Sequence, residues 1–427
     1  MFFPESFLHY VWQQRLMDVV GLRTHDGLPV QILAVGRLNQ DQGPDFLEAK
    51  LLIGGVEWHG QVEIHIQSKD WYRHHHETDP GYNSVVLHVV WQGEGKAVRR
   101  QDSSLIPEVE LKGRVPEGLL QRYESLQGAD TEIPCAAMMR QVPDLHRLAW
   151  VERLAVERIQ LKAGAIGLRM QAGLKDWEEV LWEEVLTLLG GPVNGEAFRE
   201  LAGRIPYALL RKYRAQRSQM ESLLFGAAGI LGSPGPANDA HFTHLQEEWA
   251  FLKAKHQLPD FYPLPLKFSR MRPPGFPTLR LSQAAGLAEA FPSLIHLLGS
   301  LDYQAFMQAE IQADSYWDTH YRFGEESAFL PKKLGKDQRE LLIINALTPI
   351  ACLYRLAHGQ EDIQDLIGQV LEKLSPESNR HTRPLSALGL PNEHALHSQG
   401  LIRLKKSFCN EKRCLSCGIG QQILKRG

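Results

Sequence analysis

The chain is short of cysteine, of long apolar runs and of net charge, and each shortage excludes something. Five cysteines in 427 residues, odd in number and with no secretory leader ahead of them, do not make a disulfide framework. The opening MFFPESFLHYVWQQRL lacks a basic n-region, an apolar h-region and a small-residue cleavage site, so it does not read as a signal peptide. No uninterrupted apolar stretch approaches the roughly 18 residues of a membrane span, and none is expected. These absences predict a reduced, cytoplasmic protein. A formal charge of −3 provides no global basic field to draw nucleic acid, and leaves only a local basic groove for that purpose. No Walker motif or dinucleotide fingerprint follows a strand, and there is no HExxH or GxSxG. The glycines in LLFGAAGILGSP fit close helix packing better than a cofactor loop.

What is present is ordinary globular composition, 43% hydrophobic and 23% charged, over a length suited to two or three domains. Three segments are expected: a mixed domain over 1–130, a helical region over 131–400, and a basic cysteine-containing tail over 401–427 that packs on the body. In the first, apolar residues at helical spacing predict a helix over 5–20. Strands follow over 28–35, 46–53 and 56–67, with Gly54-Gly55 as a two-residue hairpin turn between the last two. A short helix over 68–76, capped by Ser68, leads into an apolar strand over 84–91. From 145 onward the periodicity becomes helical, with helices over 145–174, 176–189, 220–231, 281–298, 338–358 and 361–374.

The hairpin over 43–65 carries the most chemistry. Glu63 and His65 are two apart on one strand and share a face, and Asp45 opens the partner strand. Carboxylates brought together in this way hold a hard cation of the kind that activates water for phosphodiester hydrolysis. A strict register through the turn sets Asp45 opposite Ile64, on the wrong face. An extra residue near His59-Gly60 would set it opposite His65, so a bulge at Gly60 is a condition of the site.

Gly43-Pro44-Asp45 followed by Glu63-Ile64-His65 resembles the PD…(D/E)XK signature of restriction-endonuclease-like nucleases, with histidine in the lysine position. The resemblance implies an α+β protein: a restriction-endonuclease-like α/β domain followed by a mostly α-helical C-terminal region. It implies Mg or Mn bound by Asp45 and Glu63, His65 assisting water, and Glu5 as the acid that some members carry on the first helix. Histidine is a weaker fixed charge than lysine near neutrality, so altered metal preference or a decayed enzyme stay open. At family level, stretches such as GPDFLEAKLLIGGVEWHGQVEIH, DWYRHHHETDPGYNSVVLHVV and HSQGLIRLKKSFCNEKRCLSCGIG resemble the bacterial proteins grouped as domain of unknown function 2851, a family that brings no activity with it.

Further candidates surround this hairpin. His59, His74, His76, Asp79 and His88 fall nearby in sequence, and the His74–Asp79 cluster can serve a transition-metal hydrolase. Cys409-x4-Cys414-x2-Cys417, with Cys135, His394 or His397 as a fourth ligand, suits zinc or an iron–sulfur cluster, against the alternative of reduced structural thiols. Arg403, Lys405 and Lys406 in the tail, and Arg270 and Arg272 in a Pro-rich segment, are candidate phosphate contacts for a nucleic-acid partner. The function these readings favour is a metal-dependent nuclease or phosphodiesterase. A catalytically inactive nucleic-acid-binding protein on the same core is the alternative.

Overall fold

The computed structural model describes residues 3–173, 176–232, 234–269, 271–299 and 303–426. It is a mixed α/β protein with an N-terminal sheet and a helical C-terminal region. Two compact units are present: Met1–Trp150 with Pro384–Leu390 and Leu404–Gly427, and Val151–Arg383 with Pro391–Arg403.

The first unit opens with α1 (Glu5–Gln13), which buries Phe7, Leu8, Val11 and Trp12. It stops well short of residue 20 because Arg15 takes a left-handed φ of 51°, which ends a helix. Strands β1 (Val30–Ala34), β2 (Arg37–Leu38), β3 (Phe46–Ile53) and β4 (Val56–Gln67) follow, then α2 (Asp70–Arg73) and β5 (Val85–Gln92). A two-stranded ribbon of β6 (Val98–Arg99) and β7 (Leu105–Ile106) precedes β8 (Glu108–Glu110). The sheet order is β1-β3-β4-β5-β8, with β2 also on β3. The β1–β3 and β3–β4 pairs are antiparallel, while β4–β5 and β5–β8 are parallel. Gly54 and Gly55 both have positive φ, 58° and 85°, as a type I′ hairpin turn demands.

The bulge that the site requires is present, but on the other strand. Ile53↔Val56 through Ala49↔Gly60 pair regularly, and the register then shifts to Phe46↔Val62. The extra residue therefore lies in β3, where Glu48 sits at φ 60°, and not at Gly60. Gly60 is a glycine for a different reason. A Cβ there would stand 2.4 Å from Val86 Cγ1 and 2.6 Å from the Ser84 carbonyl, so β5 approaches too closely for a side chain.

Ser68 is not a helix cap. Its hydroxyl donates to Glu108 Oε1 at 2.7 Å, and α2 is a single turn. His75 at φ 62° ends it, and a 3₁₀ turn, His76–Thr78, follows. α3 (Glu117–Gly128) and the C-terminal tail complete this unit. Arg122 donates to the Leu424 carbonyl at 3.0 Å, and Gln127 and Lys412 exchange hydrogen bonds with one another's carbonyls.

The second unit is helical around one large apolar core. Its helix Trp177–Arg204 is two segments joined at Gly191, φ 62°, ahead of Pro192. The run Lys336–Ala357 is apolar enough by length and composition to cross a membrane, although 61% of its most apolar window is buried, the position of a core helix. A π-turn, Ile343–Leu347, interrupts it just before Pro349, where the missing N–H and the ring would otherwise break the ladder.

Candidate metal centre

The bulge at Glu48 sets Asp45 across from Glu63 on the same face, and the two residues exchange hydrogen bonds. The Asp45 amide donates to Glu63 Oε2 at 3.0 Å, and the Ile64 amide donates to Asp45 Oδ2 at 2.9 Å. His9, one helical turn after Glu5 on α1, places Nε2 3.1 Å from Asp45 Oδ2. Glu5 is near enough to feel Asp45, His9 and His74, and burial raises its pKa.

The other oxygen of Glu63 faces histidines. Oε1 lies 3.5 Å from His65 Nε2 and 3.3 Å from His76 Nε2, and His65 Nε2 lies 3.2 Å from His74 Nδ1. The ligand atoms of His65, His74 and His76 all fall within 4.8 Å of one another. The left-handed turn at His75 brings this about by ending α2 between His74 and His76, so both rings return to β4. His76 is also stacked on Tyr82 with centroids 3.8 Å apart.

Behind His65 runs a buried relay. His65 Nδ1 is 2.8 Å from His88 Nε2, and His88 Nδ1 is 3.0 Å from Glu108 Oε2. Glu108 takes its other hydrogen bond from Ser68. All three members are at most 2% exposed. One ring nitrogen of a ligand histidine fixed by a carboxylate-anchored partner is the arrangement that holds an imidazole on a metal ion.

Electrostatics agree with this donor set. Burial, then the charges of His88, His76 and His74, push the His65 pKa down to about 2, so it is a neutral donor at any ordinary pH. Burial likewise lowers His76. Glu63 is raised to about 9 by burial and by the neighbouring Asp45. His9 is raised: burial opposes its charge, but Asp45, Glu5 and Glu63 outweigh it. Four donors around one tetrahedral cation with ligand bonds of roughly 2.1 Å stand about 3.4 Å apart. The separations of 3.2, 3.3 and 3.5 Å quoted above match that spacing.

Several expected participants lie elsewhere. His59 is exposed and pairs with Glu57 at 2.7 Å. Asp79 accepts the Gly81 amide as a local cap. Lys405 is no phosphate contact: it is 3% exposed and is used internally by the Glu132 carbonyl and Asn410 Oδ1, both at 2.8 Å. Lys406 and Arg272 are exposed and Arg403 is half-buried, while Arg270 lies outside the described residues. His394 and His397 stack on one another at 3.8 Å, whereas Cys135 shares a hollow with Cys409, Cys414 and Cys417. His9 and Glu108 were not singled out in sequence, and Ser68 only as a helix cap. The Glu5/His9 spacing of one turn was the available signal for the first, and nothing marks the site role of the other two.

A cleft of about 420 Å³ adjoins this centre through His9. Tyr10 and Gln13 of α1 line it, with Tyr123 of α3 and Lys412 and Arg413 of the tail.

The chain belongs to the family described as protein of unknown function DUF2851, whose model matches residues 5–380. No curated protein and no solved structure matches it.

Proposed function

We propose that this member of the DUF2851 family is a metal-dependent phosphodiesterase acting on nucleic acid, with its cation held by Glu63, His65, His74 and His76 beside Asp45. The observation that carries the reading is the convergence of one carboxylate oxygen and three imidazole nitrogens at ligand-like separations. The His74–Asp79 cluster and the Asp45/Glu63 hairpin, separate candidates in sequence, thereby become one centre without Asp79. The order α1, strands β1 to β4, short α2 and the parallel strand β5 supports a PD-(D/E)XK-type core as its frame.

A divalent cation bound there supplies Lewis acidity toward a phosphate oxygen and toward water. The protein's own groups do the rest. His65 and His76, neutral through burial, offer lone pairs without charge, and the His88–Glu108 relay fixes the His65 ring. Asp45 orients Glu63 through its backbone amide. His9, whose pKa Asp45 raises, is the candidate to give a proton to the departing oxygen. Three nitrogen donors at tetrahedral spacing favour zinc or another nitrogen-preferring transition metal over magnesium, which takes oxygen ligands and keeps its waters. Lys412 and Arg413 give the adjoining cleft a basic wall suited to phosphates.

The test is cleavage of labelled single- and double-stranded DNA and RNA by chelator-treated protein resupplied with Mn, Zn or Mg. Cleavage that is supported better by a transition metal than by Mg, and that disappears in both Asp45→Ala and Glu63→Gln, is expected. Cleavage that survives in both variants, or no cleavage with any substrate and metal, overturns the reading.

A further inference from the structure

Away from the histidine centre, the tail and the segment after α3 bring four cysteines to one small hollow. Cys135 precedes a 3₁₀ turn, Ala136–Gln141. Cys409 ends a π-turn, Lys405–Cys409, Cys414 begins a 3₁₀ turn, and Cys417 precedes the helix Gly418–Lys425. All four are buried and none is in a disulfide. The remaining walls are apolar, among them Met139, Leu404, Phe408 and Ile419. The fifth cysteine, Cys352, is in the helical unit and takes no part.

We propose that Cys135, Cys409, Cys414 and Cys417 are the thiolate ligands of an iron–sulfur cluster that fastens the tail to the N-terminal unit. Three observations bear on this. First, the last helix offers polar groups to sulfur. The Gly420 and Ile419 amides at its start favour the thiolate form of Cys417. Such donors stabilise an anionic sulfur and do little for a neutral thiol.

Second, the backbone is shaped to bring these sulfurs together. A Cβ on Gly420 would meet the Cys414 carbonyl oxygen at 2.2 Å, and one on Gly418 would meet the Trp150 ring at 2.7 Å. Both close approaches require glycine, and packing alone would not demand a cysteine at every surrounding position.

Third, the sequence spacing points to the metal. Three cysteines at x4 and x2 spacing with a remote fourth is an iron–sulfur pattern, here with the lone Cys135 ahead of the trio. Burial raises these thiols, Cys409 to about 12 and Cys414 to about 11, so the positive charge of the metal is what makes thiolates of them. The cluster would hold the 410–413 loop, whose Lys412 and Arg413 line the cleft beside His9.

The experiment is quantification of iron, acid-labile sulfide and zinc in the full-length protein purified without oxygen. Iron and sulfide in equal amounts, about two to four per chain, with visible colour, are expected. Cys414→Ser and Cys417→Ser should lose most of that iron, and Cys352→Ser should keep it. Because the serine variants can fail by misfolding, the wild-type metal content decides the matter. One zinc per chain, or no metal after anaerobic reconstitution with iron and sulfide, overturns the proposal. Glu63→Gln should keep the iron, so the fate of this centre is separate from that of the phosphodiesterase reading.

Discussion

The backbone amide of Asp45 donates to Oε2 of Glu63 at 3.0 Å, which leaves Oε1 as the oxygen that faces His65 and His76. One residue thus aims the other, and a carboxylate raised by burial and by that same neighbour is poised to exchange its proton for a cation. The consequences of this pairing can be measured.

Glu63→Gln should separate stability from function. Glu63 is protonated in the metal-free protein at neutral pH, so a neutral isostere costs little. Melting of the apo variant at pH 8 should equal or exceed that of the wild type. Metal affinity should nevertheless collapse and cleavage should fall about a thousandfold or more, the several kcal/mol that a lost ligand removes. Calorimetry and a turnover assay on the same preparation check both halves.

The pH dependence follows from opposite shifts. Glu63 is raised from 4.5 to about 9, so above pH 4.5 the folded apo protein holds a proton that the unfolded chain has lost, and stability falls as pH rises toward 9. His65 is lowered from 6.5 to about 2, so below pH 6.5 the unfolded chain holds the extra proton and stability falls as pH drops. Between 4.5 and 6.5 the two contributions cancel, and on either side each proton gives a slope of about 1.4 kcal/mol per pH unit. Metal binding expels the Glu63 proton. Affinity should therefore rise by up to about tenfold per pH unit from pH 6.5 to 9, as metal titrations across that range would read.

Glu108→Gln tests the relay. Glutamine keeps the size and a hydrogen bond to His88 but removes the charge that orients the ring chain from Glu108 to His65. Metal affinity should drop about 10- to 100-fold while the fold persists. A variant with unchanged affinity would show that the relay serves packing alone.

Gly60→Ala addresses why that glycine is present. The added carbon would lie inside contact distance of Val86 and of the Ser84 carbonyl just ahead of β5, and the backbone cannot swing aside as a side chain can. Destabilisation of about 1–3 kcal/mol is expected, read from denaturant midpoints. If Gly60 relieved a bulge, alanine would instead be tolerated.

These cases mark what the sequence disclosed. Period-2 alternation around Gly54-Gly55 is a strong local signal, and the strands over 46–53 and 56–67 match the structure. The bulge was inferable only as a necessity of the chemistry. Its position was hidden, because glycine is the usual marker and Glu48, a charged residue at positive φ, carries none. His74 and His76 were visible as a cluster, but their convergence on Glu63 depends on one left-handed residue, His75. Glu108 was invisible because it reaches the site across the parallel β5 strand, a pairing that no local pattern encodes.

Deleting Glu48 is the sharpest test of how the site is built. The hairpin pairs with a constant offset from Ile53↔Val56 to Ala49↔Gly60, and the single extra residue in β3 changes that offset before Phe46. Without it β3 reaches Phe46↔Val62 by regular pairing, so Asp45 stays across from Glu63 on the same face of the sheet. The deletion also removes a residue held at φ 60°, a strained conformation that costs of order 1–3 kcal/mol, so the sheet itself should survive and far-ultraviolet circular dichroism should stay native. Metal affinity should stay close to that of the wild type, because the Asp45 amide still meets Glu63. Replacing Glu48 by glycine keeps the extra residue and accepts positive φ more readily. That variant should also bind metal as well as the wild type and melt slightly higher, and loss of metal in the deletion alone would show that the bulge itself, and not the glutamate side chain, shapes the site.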